Sequence, residues 1–117
     1  MTPTTSFLVA LAVFVAVVYV LFLRAGGISG TEARKLVEAG ARLVDVRSPA
    51  EFSSGHLPGA INIPVQELST RTGELAPSDK PIVLYCQSGM RSASAARILK
   101  SAGYSAVHNL GGMRRWG

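Results

Sequence analysis

The stretch Pro81-Ile82-Val83-Leu84-Tyr85-Cys86-Gln87-Ser88-Gly89-Met90-Arg91-Ser92 reads as a strand, a tight loop and the first turn of a helix. Its apolar run has strand length and no alternation, as expected for a central parallel strand covered on both faces. The turn after such a strand lies at the carboxyl edge of the sheet, where ligand crevices form. Backbone N–H groups of a short curled loop converge on its centre, and the following helix adds the positive end of its dipole. An anion is welcome there. A cysteine at that spot is expected to ionise more readily, because the same donors and a nearby guanidinium such as Arg91 stabilise the thiolate. A lone cysteine is otherwise a small buried hydrophobe. Gly89, the flanking serines and Arg91 make Cys86 a candidate nucleophile instead.

Outward from this stretch, helices and strands alternate. SGTEARKLVEAG predicts an amphipathic helix with Ser29 and Glu32 as a capping box and Gly40 as its stop. ARLVDV predicts a short strand with Asp45 and Arg47 at its carboxyl end. A short helix is expected from Pro49, a brief strand around Ile61 to Ile63, and a helix in VQELSTRTGEL. The helix after the loop should present Ala95, Ala96, Leu99 and Ala102 on one face and end at Gly103. SAVHNL is a last strand, and GGMRRWG a final turn or short helix. This alternation argues for an α/β fold with an open parallel sheet and helices on both faces.

Before that domain, Phe7 to Leu23 carries no charged or strongly polar side chain. As a helix it reaches about 25 Å at ~1.5 Å per residue, close to a ~30 Å hydrocarbon core once Thr4 to Ser6 are added. A cleaved signal peptide is the rival. Against it, MTPTTS lacks Lys and Arg, the apolar core is long, and Arg24 stands where small residues would be wanted. The expected organisation is a tail over 1–6, one transmembrane helix over 7–23, a linker over 24–30 and the α/β domain over 31–117. Arg24, Arg34 and Lys35 follow the span, which predicts a single-pass protein of a bacterial-type inner (plasma) membrane with the domain in the cytoplasm. Gly26, Gly27 and Gly30 would keep that domain near the bilayer.

The 117 residues allow one domain, and the single cysteine excludes an intramolecular disulfide framework. The net charge of +5 is spread without a Lys/Arg run or interleaved aromatics, which speaks against nucleic acid and for a small anionic substrate or an anionic membrane surface. Two histidines and one cysteine in unrelated segments give no metal-ligand pattern.

Three ordered signatures, DVRSPAEFSSGHLPGAINIP, PIVLYCQSGMRSASAARILKSAGY and VHNLGGMRRW, resemble a single-domain rhodanese and cover the chain from about Ile28 to Trp116. The resemblance implies a rhodanese-like sheet and a thiosulfate sulfurtransferase whose cysteine carries a persulfide. Sulfur would pass from thiosulfate or a related donor to a thiophilic acceptor, with no metal or organic cofactor. Cys86 to Arg91 is C-x4-R, whereas the cysteine phosphatases of similar fold use C-x5-R, usually with His before the Cys. Here Tyr85 precedes the Cys, so sulfur transfer ranks above phosphatase action. Members of the family commonly continue past the tryptophan. With one residue after Trp116, the last turn is expected to be poorly held.

The expected roles follow. Cys86 is the nucleophile, and Arg91 binds the donor's sulfonate or favours the thiolate. The backbone from Gln87 through Ser88, Gly89 and Met90 to Arg91 holds the anionic persulfide, and Asp45 and Arg47 support the loop. His56 is read as a buried histidine satisfied by backbone, since persulfide chemistry needs no base. His108 and Trp116 are read as packing. The partners would be an anionic sulfur donor, a thiol acceptor and the bilayer through residues 7–23. The alternative is a non-catalytic rhodanese-like module that docks a partner at the membrane, with redox sensing by the same thiol a third idea.

Overall fold

The computed structural model describes residues 2–25 and 27–117, with side-chain environments for 2–19 and 27–117. Gly26 and the side chains of residues 20–25, Arg24 among them, entered the reading of the anchor and linker and lie outside the described residues. Helix α1 spans Pro3–Ala25. Among the described residues, no helix is long and apolar enough to cross a membrane.

The domain then runs α2 (Gly30–Glu38), β1 (Arg42–Asp45), α3 (Pro49–Ser53), β2 (Ile61–Asn62), α4 (Val65–Arg71), β3 (Ile82–Cys86), α5 (Met90–Ser101) and β4 (Val107–Gly112). Short 3-10 turns follow α4 at Thr72–Leu75 and β4 at Met113–Trp116. Four parallel strands lie in the order β2-β1-β3-β4. The central position of β3 explains its unbroken apolar sequence. Ile82, Leu84 and Cys86 face the cluster built with Leu68, Leu75, Ala95 and Leu99 from α4, its following turn and α5. Val83 and Tyr85 face the opposite cluster with Ala33 of α2, Leu43, Leu57 and Leu110. Period-two alternation thus splits one strand between two cores.

Local signals act as their chemistry dictates. The Ser29 hydroxyl accepts from the Glu32 N–H at the start of α2. Ser48 and Glu51 form a full capping box on α3, with Pro49 in the first turn. Three expectations are corrected. Ala102 caps α5 and is exposed; Ser92 takes a buried place on that helix instead. β4 continues past Leu110 to Gly112, because a register shift opposite Leu84 and Tyr85 lets Gly111 and Gly112 pair with Tyr85 and Cys86. The final turn is well held: the Arg34 guanidinium donates to the Trp116 carbonyl, and Arg115 Nη2 donates to the Ile28 carbonyl at 3.0 Å. Trp116 itself packs against the α2-side cluster.

Candidate active site

Strand β3 delivers Cys86 to the carboxyl edge of the sheet, and the chain turns through Gln87, Ser88 and Gly89 into α5. Gly89 is the N-cap at φ +109°, a left-handed conformation that side-chain-bearing residues rarely adopt. That curl brings its N–H back onto Cys86 Sγ at 2.9 Å. Beside the loop, Gly112 stands where a Cβ would meet the Gln87 carbonyl at 3.1 Å, so the end of β4 lets the loop pass close.

The Cys86 side chain is fully buried. Burial pushes its thiol up. The Ser92 hydroxyl and the N–H groups of Ser92, Gly89 and Ser88 favour the thiolate and outweigh burial, so the net shift is downward from the ordinary thiol value. In the thiol form Cys86 Sγ donates to Ser92 Oγ at 3.6 Å while that hydroxyl donates to the Gly89 carbonyl at 3.1 Å; it supports the thiolate by turning its one proton from Gly89 to Sγ. Ser92 therefore belongs to the site although it lies outside the expected Gln87–Arg91 set. Its signal was its place in the first turn of α5, three residues after the Gly89 cap.

Arg91 leaves the first turn of α5 and forms a two-pronged ion pair with Glu51 of α3, at 2.7 and 3.0 Å. The Arg91 guanidinium holds the Glu51 carboxyl down at about 2, well below the carboxylate range. Both side chains are 36% exposed. Glu51 is the second residue that the sequence reading missed. Only the S-P-A-E cap marked it, and that cap reads as purely local.

Asp45 and Arg47 form the other pair. The Asp45 carboxylate accepts from the Arg47 backbone N–H at 2.9 Å and from Nε and Nη2 of the same residue at 2.8–3.1 Å. Arg47 is 4% exposed, and its bond to Asp45 raises its pKa. It also donates to the Gly55 carbonyl at 2.6 Å and reaches Gln87 Oε1 at 3.4 Å. The Arg47 guanidinium lies 5.9 Å from the centroid of the Tyr85 ring, whose hydroxyl accepts from the Leu57 N–H at 3.0 Å. Asn62 adds two bonds, to the carbonyls of Asp45 and Arg47. Burial is the main cause that raises the Tyr85 phenol's pKa, leaving it a neutral structural group.

Met90 is 81% exposed at the rim of the loop, and Gln87 and Ser88 are exposed beside it. His56 corrects its expectation. Gly55 turns it outward, so the ring is exposed, stacked on Phe52 at 3.8 Å, with Nδ1 donating to the Phe52 carbonyl at 2.9 Å. The backbone satisfies it without burial. Among the described residues no group of His, Cys, Asp and Glu could hold a metal ion.

A buried cysteine inside a ring of backbone and hydroxyl donors, on an open parallel sheet, defines a class of α/β domains that stabilise a sulfur anion at a strand–loop–helix junction. The rhodanese-like domain family matches residues 29–117, and the chain belongs to that family. It is 47% identical over 78 residues to the uncharacterized protein YqhL of Bacillus subtilis, a match covering 66% of this chain and 61% of YqhL. It is 36% identical over 105 residues to the human thiosulfate:glutathione sulfurtransferase, covering 76% and 90%. The solved human single-domain sulfurtransferase TSTD1 superimposes with a TM-score of 0.70 at 35% identity, covering 78% of this chain and 94% of that one.

Proposed function

We propose that the protein is a membrane-anchored sulfurtransferase working through a Cys86 persulfide. The observation that carries this reading is the sulfur's donor set: Gly89 N–H at 2.9 Å, with Ser88 and Ser92 completing it. The Cys86 thiolate attacks the outer sulfur of thiosulfate or a related donor. The donor's S–S bond breaks and its electron pair leaves with sulfite. An acceptor thiolate then attacks the outer persulfide sulfur, and the Cys86 thiolate departs with its electron pair. The loop donors serve both states, because thiolate and persulfide are both anions held without metal or organic cofactor. The name of the human relative supports a low-molecular-weight thiol as one acceptor class.

Arg91 is the residue proposed to meet the donor's sulfonate. In the resting protein Glu51 occupies it, and a 36% exposed pair is one that an incoming oxyanion can open. Anchoring rests on the apolar run Phe7–Leu23 and on α1, whose side chains from Phe7 to Tyr19 are exposed, Phe7 and Phe14 by two thirds. An apolar surface of that extent needs a cover, and the bilayer is the one proposed. The basic residues after the span favour the cytoplasmic side of a bacterial-type inner membrane for the domain.

The test is sulfur transfer from thiosulfate to cyanide and to a small thiol, with the full chain in mild detergent. Activity that vanishes in Cys86→Ser supports the reading. Activity retained in that variant, or absent from the folded parent with every sulfane donor, overturns it. In the latter case capture of a partner protein by the inactive chain would favour the docking module. Release of the chain from membranes by alkaline carbonate would overturn the anchor separately.

A further inference from the structure

A cavity of about 340 Å³ opens between α5 and β4, on the far side of Asn109 from the Cys86 loop. Its cations are Arg97 and Lys100 of α5; His108 of β4 also lines it, and Gly27 and Ile28 close one wall. Among the described residues no carboxylate lines it. Neither Arg97 nor Lys100 forms an ion pair among the described residues; Arg97 donates to Ser94 Oγ at 3.1 Å. Asn109 Oδ1 is buried and has no hydrogen-bond partner among the described residues. It is the one such side-chain atom among the described residues. A buried acceptor without a donor is costly, and such groups recur where a ligand or ion completes the site.

We propose that this cavity binds a phosphate-bearing ligand with a hydroxyl or amine close to its phosphate. Arg97 and Lys100 stand three residues apart on one helix face and suit a phosphate anion, the guanidinium by its planar fork and the ammonium as a point charge. Asn109 Oδ1 accepts from the ligand's hydroxyl or amine, which inorganic phosphate supplies poorly. Size agrees. At ~30 Å³ per water the cavity holds roughly eleven, more than a bare oxyanion fills. Free glycerol phosphates and phospholipid headgroups share this chemistry. Gly27 is two positions past Ala25, the last residue of α1, so along the chain this wall stands next to the proposed anchor. The pocket itself needs only the domain; its lipid source rests on the proposed anchor.

The experiment follows backbone amide shifts of residues 97–100 and 107–109 in the full chain. The probes are inorganic phosphate, sn-glycerol 3-phosphate, and phosphatidylcholine nanodiscs with and without phosphatidylglycerol. The expected result is a saturable shift with sn-glycerol 3-phosphate, tighter than with inorganic phosphate. Arg97→Gln with Lys100→Gln, both on the exposed face of α5, should weaken it about tenfold or more through loss of two charge-assisted contacts. Asn109→Leu should erase the preference for the glycerol ester while leaving the backbone bond from Ile28 to the Asn109 carbonyl in place. Shifts that also need phosphatidylglycerol in the disc identify the headgroup; shifts with the soluble ester alone identify a free metabolite. Absence of saturable shifts with all probes overturns the proposal, as does undiminished binding by the double variant. Persulfide formation at Cys86 should be unchanged in that variant, so failure of the pocket and failure of the sulfurtransferase reading are separable.

Discussion

Asp45–Arg47 and Glu51–Arg91 are both two-pronged carboxylate–guanidinium pairs at the edge of the Cys86 loop, yet one is sealed and the other open. Asp45 is fully buried and Arg47 is 4% exposed, whereas Glu51 and Arg91 are each 36% exposed. The sealed pair has no freedom to meet a ligand. Its guanidinium is committed to Asp45, the Gly55 carbonyl and Gln87, and so ties the end of β1 to the turn after α3 and to the loop. The open pair is held by two bonds that water already contests. The same chemistry thus serves as a brace when dry and as an exchangeable gate when wet.

Breaking the sealed pair should have the largest effect. Arg47→Ala leaves Asp45 buried without its cation and is expected to cost ~3–5 kcal/mol of stability, read by urea unfolding. Removing the open pair's cation should spare the fold and strike the chemistry. Arg91→Ala should leave the unfolding midpoint nearly unchanged and lower kcat/KM for thiosulfate roughly ten- to a hundredfold, the scale of a lost charge-assisted hydrogen bond. A thiosulfate rate that survives Arg91→Ala would place the donor elsewhere.

Smaller changes sharpen the contrast. Ser92→Ala removes the hydroxyl that favours the thiolate, so the rising limb of the rate–pH profile should move to higher pH with little loss at its plateau. Glu51→Gln should free Arg91 and lower KM for thiosulfate roughly two- to fivefold, the range expected for an exposed pair. The acid side has a defined sign. Glu51 is depressed to about 2, so its pairing is fully present above the ordinary carboxylate range and is lost only as pH falls toward 2. The amide signals of Arg91 and Glu51 should therefore report an intact pair at pH 4.

The β3 strand, the Cys86 loop and the start of α5 were legible because apolar run, glycine and helix signal coincide within one dozen residues. The two ion pairs were legible to different degrees. Asp45 and Arg47 were read as supports of the loop and not as partners, although at two residues apart their pairing is a local event. Glu51 and Arg91 are forty positions apart, and nothing in either segment says that α3 and α5 meet. Ser92 was noted as a flanking serine but given no role, because its hydroxyl meets the sulfur only once the first turn of α5 folds back over Cys86. His56 misled because Gly55 turns the ring outward, a backbone effect that the residue types alone do not reveal. Gly111 and Gly112 read as a strand stop, yet the register shift in β4 makes them partners of Tyr85 and Cys86.

The central claim is that Cys86 carries the transferred sulfur. The most direct measurement is the intact mass of the full chain in mild detergent after thiosulfate treatment and desalting, beside Cys86→Ala. The account predicts a gain of one sulfur atom that requires Cys86 and is removed by cyanide or a reducing thiol. A folded parent that gains no sulfur, or a gain that persists in Cys86→Ala, would contradict it.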